Sequence, residues 1–201
     1  GWRPDTPSTA FVTAFVVEAQ AAAQGALDDA PAPSLRAVAY LRRVAPAAPP
    51  DTAAYLAYAL ARAGLGADSL PDGRRPAELR DADLSAAGLA FVSLALPPAG
   101  SRQALDQLGA LADREGDTAS WAGDEAGGLP GGPAGVTAAA LQALAQARPD
   151  DPLLAPARRA LLQLWGVDGW PTSYDAARAA AALLPAADAP GPRTLALGDE
   201  P

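Results

Sequence analysis

Apolar positions along this chain alternate between two kinds of segment. The first kind is Ala-rich, apolar on nearly all sides, and led in by Ser, Thr or Asp. Its copies read Thr13-Ala-Phe-Val-Val-Glu-Ala, Asp51-Thr-Ala-Ala-Tyr-Leu-Ala-Tyr-Ala-Leu, Asp83-Leu-Ser-Ala-Ala-Gly-Leu-Ala-Phe-Val, Val136-Thr-Ala-Ala-Ala-Leu-Gln-Ala-Leu and Ser173-Tyr-Asp-Ala-Ala-Arg-Ala-Ala-Ala-Ala-Leu. They recur about every forty residues, and a period of that size signals stacked supersecondary units. The second kind is one-sided. Leu35, Val38 and Leu41 recur at spacing three, as do Leu105, Leu108 and Leu111, and Leu154, Ala157, Leu161 and Leu164 recur at three or four, while Arg, Asp and Gln fill the other faces. A helix apolar all round must be buried on most sides, and a one-sided helix buries a single face.

Strict alternation of the two kinds predicts an all-α fold, a two-layer α/α toroid, closed or open, of alternating inner and outer helices. Inner helices are expected near 9–24, 51–64, 82–96, 136–148 and 173–187. Outer ones are expected near 34–45, 101–114 and 152–165, with a short irregular helix at 76–81. Phe15, Tyr55, Phe91, Leu141 and Leu183 are expected to point into the core. Ser34, Asp51, Ser101 and Asp151 stand where N-caps are wanted, with Pro152 at a first helical position. Gly64, Pro97-Pro98, Gly116, Pro149, Gly166 and Pro185 supply the stops. The only strand-like alternation is in the tail, Arg193-Thr-Leu-Ala-Leu. We read 1–190 as one toroid domain and 191–201 as a tail.

Composition sharpens this picture mostly by what it lacks. Half the residues are apolar but aromatics are only 5%, so the core must be made of closely approaching Ala-rich helices. The 21 prolines and 19 glycines cluster between the apolar runs, as at 46–50, 97–98 and 123–135, which makes them punctuation rather than a sign of disorder. The net charge of −8 comes without a basic stripe and argues against nucleic acid and anionic membranes. No apolar run is long enough to span a bilayer. Cys, His, Lys, Met, Asn and Ile are all absent. Thiolate nucleophiles, disulfides, most zinc sites, the usual general bases and the Schiff-base amine go with them. Carboxylate, hydroxyl and Arg chemistry remain.

Three carboxylate pairs, Asp28-Asp29, Asp81/Asp83 and Asp150-Asp151, have the spacing to hold a cation or share a proton. Each sits at a helix boundary, where capping explains it as well. Trp121, Trp165, Trp170 and Tyr174 are the candidate binding residues, set against the plainer role of core anchors. Ser120, Thr172 and Ser173 have no His or Lys to activate them. The loop 123–135 is Gly-rich but acidic, the wrong charge for a phosphate cradle. No catalytic residue, metal site or cofactor is expected.

Several blocks, in order, resemble a known family. Gly1-Trp2 followed by Phe11-Val-Thr-Ala-Phe-Val-Val is similar to the Gly-aromatic and Trp-Leu-Thr-Ala-Phe/Tyr-Val-Leu segment of the thioester-containing domain of alpha-2-macroglobulins and complement components. Ala54-Tyr-Leu-Ala-Tyr-Ala-Leu-Ala-Arg-Ala-Gly64 resembles a block of the bacterial branch. Thr137-Ala-Ala-Ala-Leu-Gln-Ala-Leu, Pro149-Asp-Asp-Pro-Leu-Leu, Arg158-Arg-Ala-Leu-Leu and Gly169-Trp-Pro-Thr-Ser-Tyr-Asp-Ala-Ala resemble later ones, over residues 1–188.

The resemblance implies an α/α toroid with a β-domain following near the tail. It also implies a structural part in a protease-trapping inhibitor of the periplasm, cell envelope or exterior. Its partners would be the trapped proteases and the parent's other domains. The family's Cys-x-Glu-Gln thioester motif lies upstream of the matching blocks, and no Cys occurs here, so no thioester chemistry carries over to these residues. Either the chain is the C-terminal part of such a domain, or it comes from a relative without the thioester. Two other readings stand beside this one. The first is a toroid enzyme of the terpene cyclase or prenyltransferase type, faintly suggested by Gln163 with Trp165 and Gly169. It lacks the Asp-x-Asp-Asp acid or the zinc site. The second is a plain interaction scaffold.

Overall fold

The computed structural model describes residues 9–27, 29–64, 79, 83–123, 129 and 131–184. Among them are eight α-helices: α1 (Ala10–Ala26), α2 (Leu35–Val44), α3 (Pro50–Arg62), α4 (Ala86–Ala95), α5 (Arg102–Ala110), α6 (Pro133–Ala147), α7 (Leu154–Gln163) and α8 (Ser173–Leu183). A 3-10 turn (Ala45–Ala47) links α2 to α3. A hairpin of β1 (Asp113–Glu115) and β2 (Thr118–Ser120) follows α5. The fold is mostly helical, with a helix among the described residues at each of the eight principal places where the sequence predicts one. The segment 76–81 lies outside the described residues apart from Leu79, which is buried; the tail from Arg193 lies wholly outside them.

Neighbour relations follow the alternation. The Ala-rich helices touch in chain order, α1 against α3, α3 against α4, α4 against α6 and α6 against α8. Helix α2 packs on α1, α5 on α4 and α6, and α7 on α6 and β2. Burial separates the two kinds of helix. α3, α4 and α6 are buried along most of their length, whereas α2, α5 and α7 bury one stripe each. α1 and α8 stand between these cases. α1 fully buries only Ala14 and Val17, and α8 only Asp175, Arg178 and Ala179. Of the five residues expected inside, Tyr55, Phe91 and Leu141 are fully enclosed, while Phe15 and Leu183 are half-buried.

The one-sided helices depart from expectation at their ends. Leu35 is 82% exposed and Leu111 53% exposed, so the spacing-three stripes stop one residue short at the start of α2 and at the end of α5. The helix expected to run to 114 ends at Ala110, and Asp113–Glu115 pairs antiparallel with Thr118–Ser120 instead. Gly116, at φ +57, makes that reversal possible, because only glycine takes the left-handed region at little cost. Trp121, directly after β2, fixes the result. Its indole Nε1–H donates to the Leu108 carbonyl at 2.8 Å, and its backbone N–H donates to Thr137 Oγ1 at 3.1 Å. The ring thereby ties α5 to α6.

Capping also differs from the expected assignment. Thr9, Ser85 and Thr172 cap α1, α4 and α8 with their hydroxyls. Ser34 and Ser101 make no side-chain cap bond, and the Ser101 hydroxyl donates to the Pro98 carbonyl. Asp151 accepts from the Leu153 N–H at 2.9 Å, so Pro152 lies in a turn ahead of α7. Asp51 lies inside the first turn of α3 and serves another helix. Its Oδ1 accepts the Ser85 N–H at 3.0 Å, at the start of α4. Asp175, in the first turn of α8, also faces the first turn of α6, but only by close packing: its Oδ1 makes no hydrogen bond there, and its Oδ2 accepts from the Thr172 hydroxyl. A Cβ at Gly88 in α4 would meet Asp51 Oδ1, and one at Gly135 in α6 would meet Asp175 Oδ1. The third residue of α4 and of α6 is glycine, and in each a neighbouring helix's carboxylate occupies the space where a Cβ would stand.

Candidate functional site

The four aromatic residues singled out from sequence go to three different places. Trp121 is fully buried in the core. Trp165 and Trp170 pair edge to face, with ring centroids 4.3 Å apart, at the turn Gly166–Gly169 between α7 and α8. Trp170 is half-buried and its indole N–H donates to the Leu161 carbonyl at 3.3 Å; Trp165 is 54% exposed. Tyr174 joins neither and packs against Phe11 and Phe15 of α1, with centroids 5.2 and 5.5 Å away.

Around Tyr174 lies the most elaborate polar cluster in the described residues. Arg178, one turn along α8, is buried to 3% exposure. Its Nη2 donates to Glu18 Oε2 of α1 at 2.5 Å, its Nε to the Tyr174 hydroxyl at 3.2 Å, and its Nη1 to the Tyr58 hydroxyl at 3.5 Å. The Glu18 carboxylate also accepts the hydroxyl protons of Tyr55 at 3.0 Å and Tyr58 at 3.1 Å, both from α3. Four rings surround the guanidinium carbon: Phe91 at 5.1 Å, Tyr58 and Tyr174 at 5.3 Å, and Tyr55 at 5.5 Å. All are within the range where the negative ring face attracts a cation.

Electrostatics hold the three phenols and the guanidinium in one protonation state. Burial raises the phenols of Tyr55, Tyr58 and Tyr174; the nearby Glu18 carboxylate adds to the rise and the Arg178 guanidinium partly offsets it. They remain neutral donors and acceptors. Burial works against the Arg178 charge, but Tyr174, Glu18, Tyr58 and Tyr55 more than offset it, and the guanidinium stays charged. One cation and one carboxylate thus neutralise each other inside four helices. A buried pair of this kind is supported only while its remaining hydrogen bonds are satisfied.

Other chemistry-bearing residues are engaged locally. The Thr172 hydroxyl accepts from the Asp175 N–H at 3.0 Å and donates to Asp175 Oδ2 at 2.8 Å, which commits it to the cap. Asp28 and Asp81 fall outside the described residues, as does most of the acidic stretch of the loop 123–135. The end of that loop, Gly131 and Gly132, lies against Tyr174 and Asp175. Among the described residues no group of three or more acidic, His or Cys side chains could hold a metal, and no helix is long and apolar enough to cross a membrane. A cavity beside the cluster, lined by Phe91, Leu129, Gly135 and Tyr174 among others, holds about 10 Å³, room for one water at most.

Sequence reasoning missed this cluster because its two charged members lie 160 positions apart. A signal was present nonetheless. Glu18 and Arg178 are charges of opposite sign, each set in an Ala-rich run that reads apolar on nearly all sides. No protein-family model matches the chain, and no curated protein matches it.

Proposed function

We propose that this chain is a non-enzymatic structural module, an α/α toroid of inner and outer helices serving in an alpha-2-macroglobulin-like protease-trapping inhibitor exported to the cell envelope. One observation carries the structural half of this reading. Arg178, Glu18 and the rings of Phe11, Phe15, Tyr55, Tyr58, Phe91 and Tyr174 pack together where α1, α3, α4 and α8 converge, and through them α1 and α8 meet. A toroid enzyme acting on a hydrophobic substrate needs an apolar chamber of several hundred Å³ at that position. The cavity beside the cluster is far smaller, about 10 Å³. A tightly packed cluster at that position suits a part that transmits shape and presents its other helices to neighbours. The trapping role itself rests on the ordered sequence blocks.

The test uses the full parent protein. Incubated with an excess of a serine protease, a trap of this class carries the protease on denaturing gels as a heavy conjugate, and its reading frame encodes Cys-x-Glu-Gln upstream of these residues. A parent without that motif and without the conjugate overturns the trapping role and leaves the interaction scaffold. Saturable turnover of an isoprenoid by the chain overturns both.

A further inference from the structure

We propose that Glu18, Tyr55, Tyr58, Phe91 and Tyr174 form a guanidinium-binding cage that Arg178 occupies in cis, so that removing the Arg178 side chain opens a site for a free guanidinium group. Three observations carry it. First, the cage matches the ligand's plane and its donors. Each of the three guanidine nitrogens has its own acceptor, the Tyr174 hydroxyl, the Tyr58 hydroxyl and the Glu18 carboxylate, and these oxygens come from three helices. A compact ammonium presents donors around one point and cannot address three acceptors spread in this way. Second, the carbon at the centre of that plane lies 5.1–5.5 Å from four ring centroids, an aromatic surround of the kind that takes desolvated cations.

Third, most of the cage is built independently of α8. Glu18 is on α1, Tyr55 and Tyr58 on α3, and Phe91 on α4. Tyr55 stacks against Phe11 and packs on Phe91, at centroid distances of 5.2 and 4.7 Å, and both phenols of α3 hold the carboxylate. None of these contacts is made by the arginine. The Glu18 side chain is 14% exposed, so the acidic end of the cage opens toward solvent and gives a small cation a way in.

The experiment is rescue of Arg178→Ala, followed by thermal unfolding at low millimolar guanidinium chloride, well below denaturing concentrations. Sodium chloride supplies charge without shape as one control, urea supplies shape without charge as another, and methylammonium chloride is a third. A ligand that binds only the folded state raises its melting temperature by mass action. The expected result is a gain of several degrees for Arg178→Ala with guanidinium alone, none for the wild type, and loss of the gain in Glu18→Gln/Arg178→Ala. If Arg178→Ala is unfolded without additive, recovery of helical circular dichroism during the same titrations gives the readout. A response no larger than that to sodium chloride, urea or methylammonium overturns the proposal, as does an equal response in the wild type or in the double variant.

Discussion

Gly135→Ala is the most informative single substitution, because local and tertiary effects have opposite signs there. Within a helix, Ala is favoured over Gly by roughly 1 kcal/mol. Against this, a Cβ at Gly135 would overlap Asp175 Oδ1 and come within 3.3 Å of the Tyr174 ring. Asp175 is fully buried, and its other oxygen is held by Thr172 at 2.8 Å. Either the carboxylate turns away from α6 or α8 shifts as a unit. Overpacking of this kind costs about 2 kcal/mol, and disturbing the buried carboxylate's hydrogen bond about 1–2 kcal/mol more. The net expectation is a destabilisation of about 2–3 kcal/mol, which for a chain of this size lowers the melting temperature by roughly 4–12 °C. Gly109→Ala in α5 is the control. Its Cβ meets only Leu153 Cδ1 at 3.6 Å, an ordinary contact, so it is expected to gain up to ~1 kcal/mol. Thermal and urea unfolding followed by far-UV circular dichroism measure both. Equal or greater stability of Gly135→Ala relative to the wild type would refute the placement of Asp175 against α6.

Three further outcomes follow from the same contacts. The folded protein holds the protons of Tyr55, Tyr58 and Tyr174 at pH values where the unfolded chain releases them. Stability is therefore full below about pH 10 and falls above it, by up to about 1.4 kcal/mol per pH unit for each tyrosine; urea midpoints across the alkaline range, with tyrosinate absorbance, check this. Trp121→Phe is expected to cost about 2–4 kcal/mol in urea unfolding, because the Leu108 carbonyl loses its 2.8 Å donor and a void remains. Glu18→Ala should cost about 3–5 kcal/mol by leaving Arg178 buried without its carboxylate, whereas Arg148→Ala, whose partner Asp106 is 66% exposed, should cost no more than about 1 kcal/mol; the two midpoints measured side by side test that contrast.

The helices were legible in the sequence because their signal is local. Runs such as Ala53-Ala-Tyr-Leu-Ala-Tyr-Ala-Leu cannot hide an apolar face by turning, so they had to be enclosed, and α3, α4 and α6 are. The one-sided stripes located α2, α5 and α7, but burial of Leu35 and Leu111 depended on what lies over the helix ends. The hairpin at 113–120 escaped because three-residue strands are too short for alternation to register, and its anchor, Trp121, acts through Leu108 and Thr137. Asp51 reads as the cap of its own helix and instead accepts the Ser85 N–H at the start of α4. Chain position tells which helix a carboxylate starts, not which one it faces. The candidate site fared similarly. Tyr174 lies in the polar cluster, but Trp121, Trp165 and Trp170 were grouped by sequence proximity and sit elsewhere, while Glu18, Tyr55, Tyr58 and Arg178 meet only through the tertiary fold.

Contact between α1 and α8 through the polar and aromatic cluster is the claim on which the rest depends. Nuclear Overhauser spectroscopy on protein with selectively labelled Phe and Tyr rings reads it directly. Ring centroids of Phe11 and Phe15 lie 5.2 and 5.5 Å from that of Tyr174, which places edge protons well within transfer range. Cross-peaks from both phenylalanines to Tyr174, lost in Tyr174→Leu, are the predicted result. A spectrum in which Phe11 retains its cross-peak to Tyr55 but neither phenylalanine reaches Tyr174 would mean that α1 and α8 do not meet, and would contradict the account.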